Sequence, residues 1–420
     1  MSHDHSHTVH RDAVPRRALW ILLPAALATL AGLLWLWPYD YEPEQQEHNP
    51  QYKAEVLRVV QGECPEGQEQ AGIEGPCGEV GVRVLTGPEE GEDLVVDLPT
   101  GPGSPQVEVG DTVVLMYLEG SMTGQQYYIV DQERSPMMWA ALIAFVLAII
   151  AFGRWKGVRS LVSLSITFAI VLLFIVPAIL DGSPPMFVAI AGSAAIMLAS
   201  LFLTHGWNRT TTVAVLGTLA ALVITGILAA ASTSLAHLTG IMDEDTSQLS
   251  LYYDLDMSGL LLAGIIIGAL GVIDDITISQ SATIDELSKA NPGWSTAHLF
   301  GSGMRVGRDH ITSVVNTLVL AYAGASLPLL VLLAASDAPA GQVLTNELIA
   351  AEIIRSVVGT LGLIAAVPIT TYLAAVLVKR RDGGRGAPEP AEEPVPARKR
   401  PKPQELAWDE DQPYPPGHTR

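Results

Sequence analysis

Asp274 and Asp275 stand side by side at the end of sixteen residues, 258–273, that carry almost no polar group. Adjacent carboxylates after an apolar run can hold a hard cation or relay protons, because carboxylate and hydroxyl oxygens suit both. They can also simply mark where a helix leaves the bilayer. Helical phase bears on the choice. At about 100° per residue, Asp274, Thr277, Ser281, Asp285 and Ser288 share one narrow face, with Asp275, Ser279 and Glu286 beside it. Val272, Ile273, Ile276, Ile284 and Leu287 take the opposite side, and Ile278 is the exception on the polar face. A helix that merely ends in water need not keep carboxylates and hydroxyls in register for three turns; one that lines a polar groove does.

The stretch GRDHITSVVNTLVLAYAG, residues 307–324, repeats the theme. Asp309, Ser313 and Asn316 share a face, His310 adjoins them as a proton carrier, and Arg308 caps the end. The candidate ion-site residues are therefore Asp274, Asp275, Thr277, Ser281, Asp285, Asp309, His310 and Asn316. Three uses compete: a cation or proton site in a transporter, acids neutralised by Lys289 and Arg308 at helix ends, and an intramembrane aspartyl protease. The last lacks a G-x-G-D with a partner Asp in a neighbouring apolar run, so no enzymatic activity is expected. No G-x-x-x-x-G-K-[ST] is present, and ATP-driven transport would need another subunit. At the N-terminus, His3, His5, His7 and His10 with Asp4 could bind a divalent metal through imidazole. Their spacing is not that of a zinc finger, and a solvated tail with incidental histidines is the alternative. A divalent metal ion is the one cofactor to consider.

The elements that must position these residues are membrane spans. The chain has 420 residues, 49% hydrophobic and only 16% charged, with mean hydropathy +0.32; soluble domains carry about 25% charged residues. A net charge of -20 argues against a nucleic-acid partner. A helix needs about 20 apolar residues to cross a bilayer. Eight runs qualify: 18–37, 137–152, 158–180, 186–204, 211–231, 257–279, 311–335 and 353–378. Lys and Arg lie in every second flank, and the loops 181–185, 235–256 and 336–352 have none. The positive-inside rule then puts both termini in the cytoplasm of a bacterium, in a multi-pass plasma-membrane protein. The first run reads as an uncleaved anchor rather than a signal peptide, with Trp35, Trp37 and Tyr39 at the outer headgroups. Asp274, 18 residues beyond Asp256, falls about 27 Å in, near the inner boundary. The Gly-, Ser- and Pro-rich stretch 289–307, with His298, is expected to re-enter the membrane or lie along it. Gly264 and Gly268 form a G-x-x-x-G that predicts close helix contact.

Residues 38–135 face outward and carry 20 acidic against 4 basic residues. Alternating segments 52–61, 80–85, 93–98, 112–119 and 126–131, parted by Gly-Pro and Gly-Asp turns, predict five strands and a small SH3- or OB-like barrel. Cys64 and Cys77 lie on the side that permits disulfides. Closing that loop of about 14 residues would stabilise the domain by roughly 3 kcal/mol on chain-entropy grounds. Free thiols and a metal pair are the rivals, and no histidine lies nearby to complete a metal site.

LGVIDDITISQSATIDEL, followed by GMRVGRDHITSVVNTLVLAYAGASLPLLVLL, resembles the YibE/F family of bacterial membrane proteins. The likeness covers about residues 137–378. It implies a multi-pass integral membrane protein and supplies no catalytic or ligand residue.

The fold expected is thus an all-α polytopic bundle of about eight spans with a small extracytoplasmic all-β domain between spans one and two. The divisions are 1–17, a His-containing cytoplasmic tail; 18–37, the anchor; 38–135, the acidic β-domain; 136–378, the seven-span membrane domain; and 379–420, a disordered cytoplasmic tail. Passive or cation- or proton-coupled transport of a small solute or metal is the functional expectation. The alternative is a non-transporting scaffold or sensor whose outer domain binds a partner. Beyond the lipid bilayer and a small ion or solute, no protein partner is implied.

Overall fold

The computed structural model describes residues 16–39, 41, 49–62, 77–101, 103–119, 126–335 and 339–382. His3, His5, His7, His10, Cys64 and the C-terminal tail lie outside the described residues.

Helix α1 (Arg16–Trp35) contains Pro24 and has an apolar part of Trp20–Trp35, shorter than a full span. Trp35 and Tyr39 are exposed, and Trp37 stacks on Phe174 at 5.9 Å. Five strands follow: β1 (Gln51–Gly62), β2 (Cys77–Val84), β3 (Asp93–Asp97), β4 (Thr112–Tyr117) and β5 (Tyr127–Gln132). They form one antiparallel sheet in the order β3-β2-β1-β4-β5, and its two edges, β3 and β5, approach each other. The long β1 serves both halves, pairing with β4 through Gln51–Glu55 and with β2 through Ala54–Gly62, with a bulge between Val56 and Arg58. Period-two alternation makes this possible, because Ala54, Val56, Val80, Val82, Val113 and Leu115 all turn to one core. Cys77 is buried at the head of β2.

The helical part begins with α2 (Ser135–Ile170), which continues through a π turn (Val171–Ile175) into α3 (Val176–Leu180). The apolar runs 137–152 and 158–180 thus follow one another directly, because only Arg154, Trp155 and Lys156 and two glycines part them. A straight helix of 46 residues would be about 69 Å long, over twice the ~30 Å hydrocarbon core. The chain instead turns sharply at Arg154, whose φ is 49°, and the turn brings Gly157 against Ile149. A methyl group at Gly157 would lie 2.3 Å from the Ile149 carbonyl oxygen.

Then come α4 (Pro185–His205), α5 (Arg209–Leu235), α6 (Glu244–Tyr252), α7 (Met257–Ala290), α8 (Thr296–Ala325), α9 (Leu327–Ala335), α10 (Ala340–Thr345) and α11 (Glu347–Asp382). Side-chain caps fix four starts: Asn208 accepts from Thr211 N, Asp243 from Thr246 N, Asp256 from Gly259 N and Ser295 from His298 N. Among the described residues, five helices are long and apolar enough to cross a membrane: the 135–180 run, α4, α5, α7 and α11. Helices α8 and α9, bent by 62°, make a sixth if they form one span. That is fewer than the eight runs read from hydropathy, for the reasons given at α1 and α2. The stretch 289–307 is not an extended loop either. The α8 cap at Ser295 starts the helix early and leaves 291–295 as the connector.

Helices α5, α7 and α11 pack mutually and form the centre of the bundle. Gly264 and Gly268 do not mediate that packing: Gly264 faces open space, and a methyl group at Gly268 would only approach the Tyr322 hydroxyl at 3.8 Å. The close approaches are at Gly217, Gly303, Gly307 and Gly362, each seated against a side chain of another helix.

Candidate functional site

Asp274 lies midway along α7, seventeen residues from Met257 and sixteen from Ala290. Its Oδ1 accepts a hydrogen bond of 3.2 Å from the Thr218 hydroxyl of α5. Thr218 and Thr277 are fully buried, and their hydroxyl oxygens are 2.7 Å apart. Thr277 can donate to Thr218 while Thr218 donates to the carboxylate, or donate to the Asp274 carbonyl at 3.0 Å. Thr218 is nine residues into α5, about 13 Å from its start. The carboxylate therefore packs where the middle of α7 meets the first third of α5.

Below this point the polar stripe of α7 stays inside. Ser281, 2% exposed, donates to the Thr210 carbonyl at 2.9 Å. Gln280, also 2% exposed, donates from Nε2 to the Gly303 carbonyl of α8 at 2.8 Å and to the Thr371 hydroxyl of α11 at 2.7 Å. One amide thus links three helices. Burying these groups costs little because each has a partner.

Asp275, on the adjoining face, is exposed in the isolated chain. His205 at the end of α4 and His310 on α8 are close enough to act on it electrostatically. Asp285 takes another role: it pairs with Lys289 at 2.7 Å, which also holds Glu286 at 2.8 Å. Asp285, Glu286 and Lys289 line a cavity of about 1230 Å³ between α1, α4, α5 and α7, together with Arg159, His205 and Arg209. Lys289 and Arg308 do not neutralise Asp274 or Asp275; among the described residues neither carboxylate forms an ion pair with Lys or Arg.

Of the candidate residues, Asp274, Thr277 and Ser281 come together against α5; Asp275 adjoins them on α7, with His310 within electrostatic range of it. Asp309, Ser313 and Asn316 do not join. They are exposed on α8, whose buried face is set by Leu299, Ser302, Gly303 and Gly307. Sequence reading missed Thr218, His205, Gln280 and Thr371. Hydroxyls inside the apolar stretches of α5 and α11 were the available signal for two of them. Among the described residues no group of three or more His, Cys, Asp or Glu is placed to hold a metal ion.

A family model described as YibE/F-like protein matches residues 141–380. No curated protein and no solved structure matches the chain.

Proposed function

Since the chain belongs to the YibE/F-like family, we propose that it is a bacterial plasma-membrane protein that couples a cation or proton to movement of a small solute or metal. One observation carries the reading. Asp274 lies midway along a helix long enough to cross a membrane, its carboxylate accepts from the Thr218 hydroxyl, and among the described residues it pairs with no Lys or Arg. An intramembrane carboxylate in that position marks an ion or proton path by default. Asp274 with Thr218 and Thr277 is the proposed ion site. Asp275, His205 and His310 carry protons between it and the 1230 Å³ cavity, which His205 also lines.

The finer architecture belongs to the same proposal. The sharp turn at Arg154 supports two spans within 135–180. With α1 and the α8–α9 pair as one span each, the total is eight and both termini are cytoplasmic. The outer sheet, with β3 near β5, is an OB-like, partly open barrel, stapled by Cys64 and Cys77.

The test is flux into proteoliposomes for protons, Na⁺ and divalent metals, with wild type beside Asp274→Asn. Losing a charge-assisted interaction worth about 1.5–3 kcal/mol should lower flux roughly ten- to a hundredfold, with thermal stability retained. No flux of any of these ions in wild type, with both proteins equally stable, would reject the reading. It would favour the scaffold or sensor whose outer domain binds a partner.

A further inference from the structure

Helices α5 and α11 carry similar sequences. Residues 213–230, VAVLGTLAALVITGILAA, and 358–375, VGTLGLIAAVPITTYLAA, are identical at ten of eighteen positions without a gap. Apolar helices resemble one another by composition alone, so the structure must decide whether the match means anything. It pairs the matching residues reciprocally. Thr225 sits on Gly362, and its counterpart Thr370 sits on Gly217, the counterpart of Gly362. A methyl group at Gly362 would lie 2.0 Å from Thr225 Oγ1, and one at Gly217 would lie 2.1 Å from Thr370 Oγ1. Each helix gives one threonine and receives one, with glycine and threonine eight residues apart on both. Contact of i with j and of j's counterpart with i's counterpart is the signature of a two-fold axis. It requires the two helices to cross antiparallel. Burial follows the same correspondence: Val213 and Val358 are 2% and 1% exposed, Ala229 and Ala374 are 0% and 2%, and Ala221 and Ala366 are both 0%.

We infer that α5 and α11 are matching members of an inverted internal repeat, and that their crossing is the pseudo-two-fold axis about which the bundle exposes the Asp274 cluster alternately to the two sides. The inference deepens the transport reading and rests on it. Repeats of opposite orientation let one fold adopt two states related by exchanging the roles of its halves, with the site at their interface. The grouping follows from chain order: residues 155–180, α4 and α5 form one three-helix unit, and α7, α8 and α11 form the other. The repeat is broken where chemistry is needed. Thr218, which holds Asp274, has Leu363 as its counterpart, and Thr371, which holds Gln280, has Gly226. Helix α7 therefore reads different groups on the two sides of the axis.

The glycine seats provide the test. The Gly217 seat lies toward the Arg209 end of α5 and the Gly362 seat toward its other end. Gly217→Ala should wedge the first end open and, through the axis, close the second. Gly362→Ala should do the reverse. Hydrogen exchange of the whole protein in nanodiscs reads both ends of α7 at once. At residues 280–290, exchange should rise about fivefold or more in Gly217→Ala and fall in Gly362→Ala. Residues 257–268 should change in the opposite sense. Loosening confined to the wedged end, or loosening of both ends, overturns the inference. If the glycine variants do not fold, Thr370→Ser and Thr225→Ser perturb the same seats without a clash. Opposite changes at the two ends of α7, inverted between these two variants, are required; parallel changes or none overturn it. Reciprocal exchange without flux would keep the repeat and reject the transport reading. Flux without reciprocity would do the opposite.

Discussion

The N-terminal sheet and the α5–α7–α11 seam solve the burial problem in opposite ways. In the sheet, alternation sends every polar group out: Val56, Val80, Val82 and Leu115 are 0–1% exposed, and the ion pairs Arg83–Asp93 and Lys53–Glu133 lie at the surface or its margin. In the seam, Thr218, Thr277, Gln280, Ser281 and Thr371 are as buried as any valine, with a carboxylate beside them. A buried apolar core is what stability alone selects. Hydroxyls and an amide that each have a partner cost little to bury, and they fix which helices meet.

Substitutions should separate the two regions. The largest stability change is expected in the sheet. Leu115→Ala should cost about 2–5 kcal/mol by cavity formation. It should abolish exchange protection in β1 and β4 while leaving α7 protected. If α7 loosens equally, the two regions are one cooperative unit. Gln280→Leu should cost about 1–3 kcal/mol, because it removes two buried hydrogen bonds, to the Gly303 carbonyl and the Thr371 hydroxyl. The loss should appear as lower thermal stability in nanodiscs and faster exchange in α8 and α11. Thr218→Val should lower stability less than Gln280→Leu yet raise the ion concentration needed for half-maximal flux. A variant that changes only stability would make the seam structural.

Smaller effects lie in the outer domain. Hydrogen bonds from Ser135 and Lys53 pull the Glu133 carboxyl down to about 2 from an ordinary 4.5. Because the folded value is the lower one, this contribution is complete above about pH 4.5 and is lost as pH falls toward 2. Exchange at the β5–α2 junction should rise through that window, and Glu133→Gln should flatten the rise. Arg83→Ala removes an exposed pair and should leave the melting of the sheet unchanged within error.

How far the sequence could be read depended on what kind of information each feature needed. The strands were legible to within a few residues, because alternation and turn residues are local signals. The α7 stripe was legible too, since phase alone assembles Asp274, Thr277 and Ser281. Phase does not say which face turns inward, and Asp309, Ser313 and Asn316 show it: the same periodicity on α8 points outward. Thr218 and Gln280 were not legible as site residues because their partners lie 56 and 91 positions away, on helices whose pairing hydropathy does not encode. The G-x-x-x-G of α7 misled because spacing names a possible seat, not its occupant. The α5–α11 match is visible when the chain is compared with itself, but its meaning rests on the reciprocal Gly–Thr seats, which only the packed helices display.

The sharp turn at Arg154 bears on how the molecule is made. Synthesis proceeds from the N-terminus at about 5–20 residues per second, so the strands are made before the residues of that turn. A turn that sets Gly157 against Ile149 leaves no polar loop to drag through lipid. If both apolar segments cross, they enter as one hairpin, and by the positive-inside rule Arg154, Lys156 and Arg159 at its tip set which way the preceding sheet domain faces.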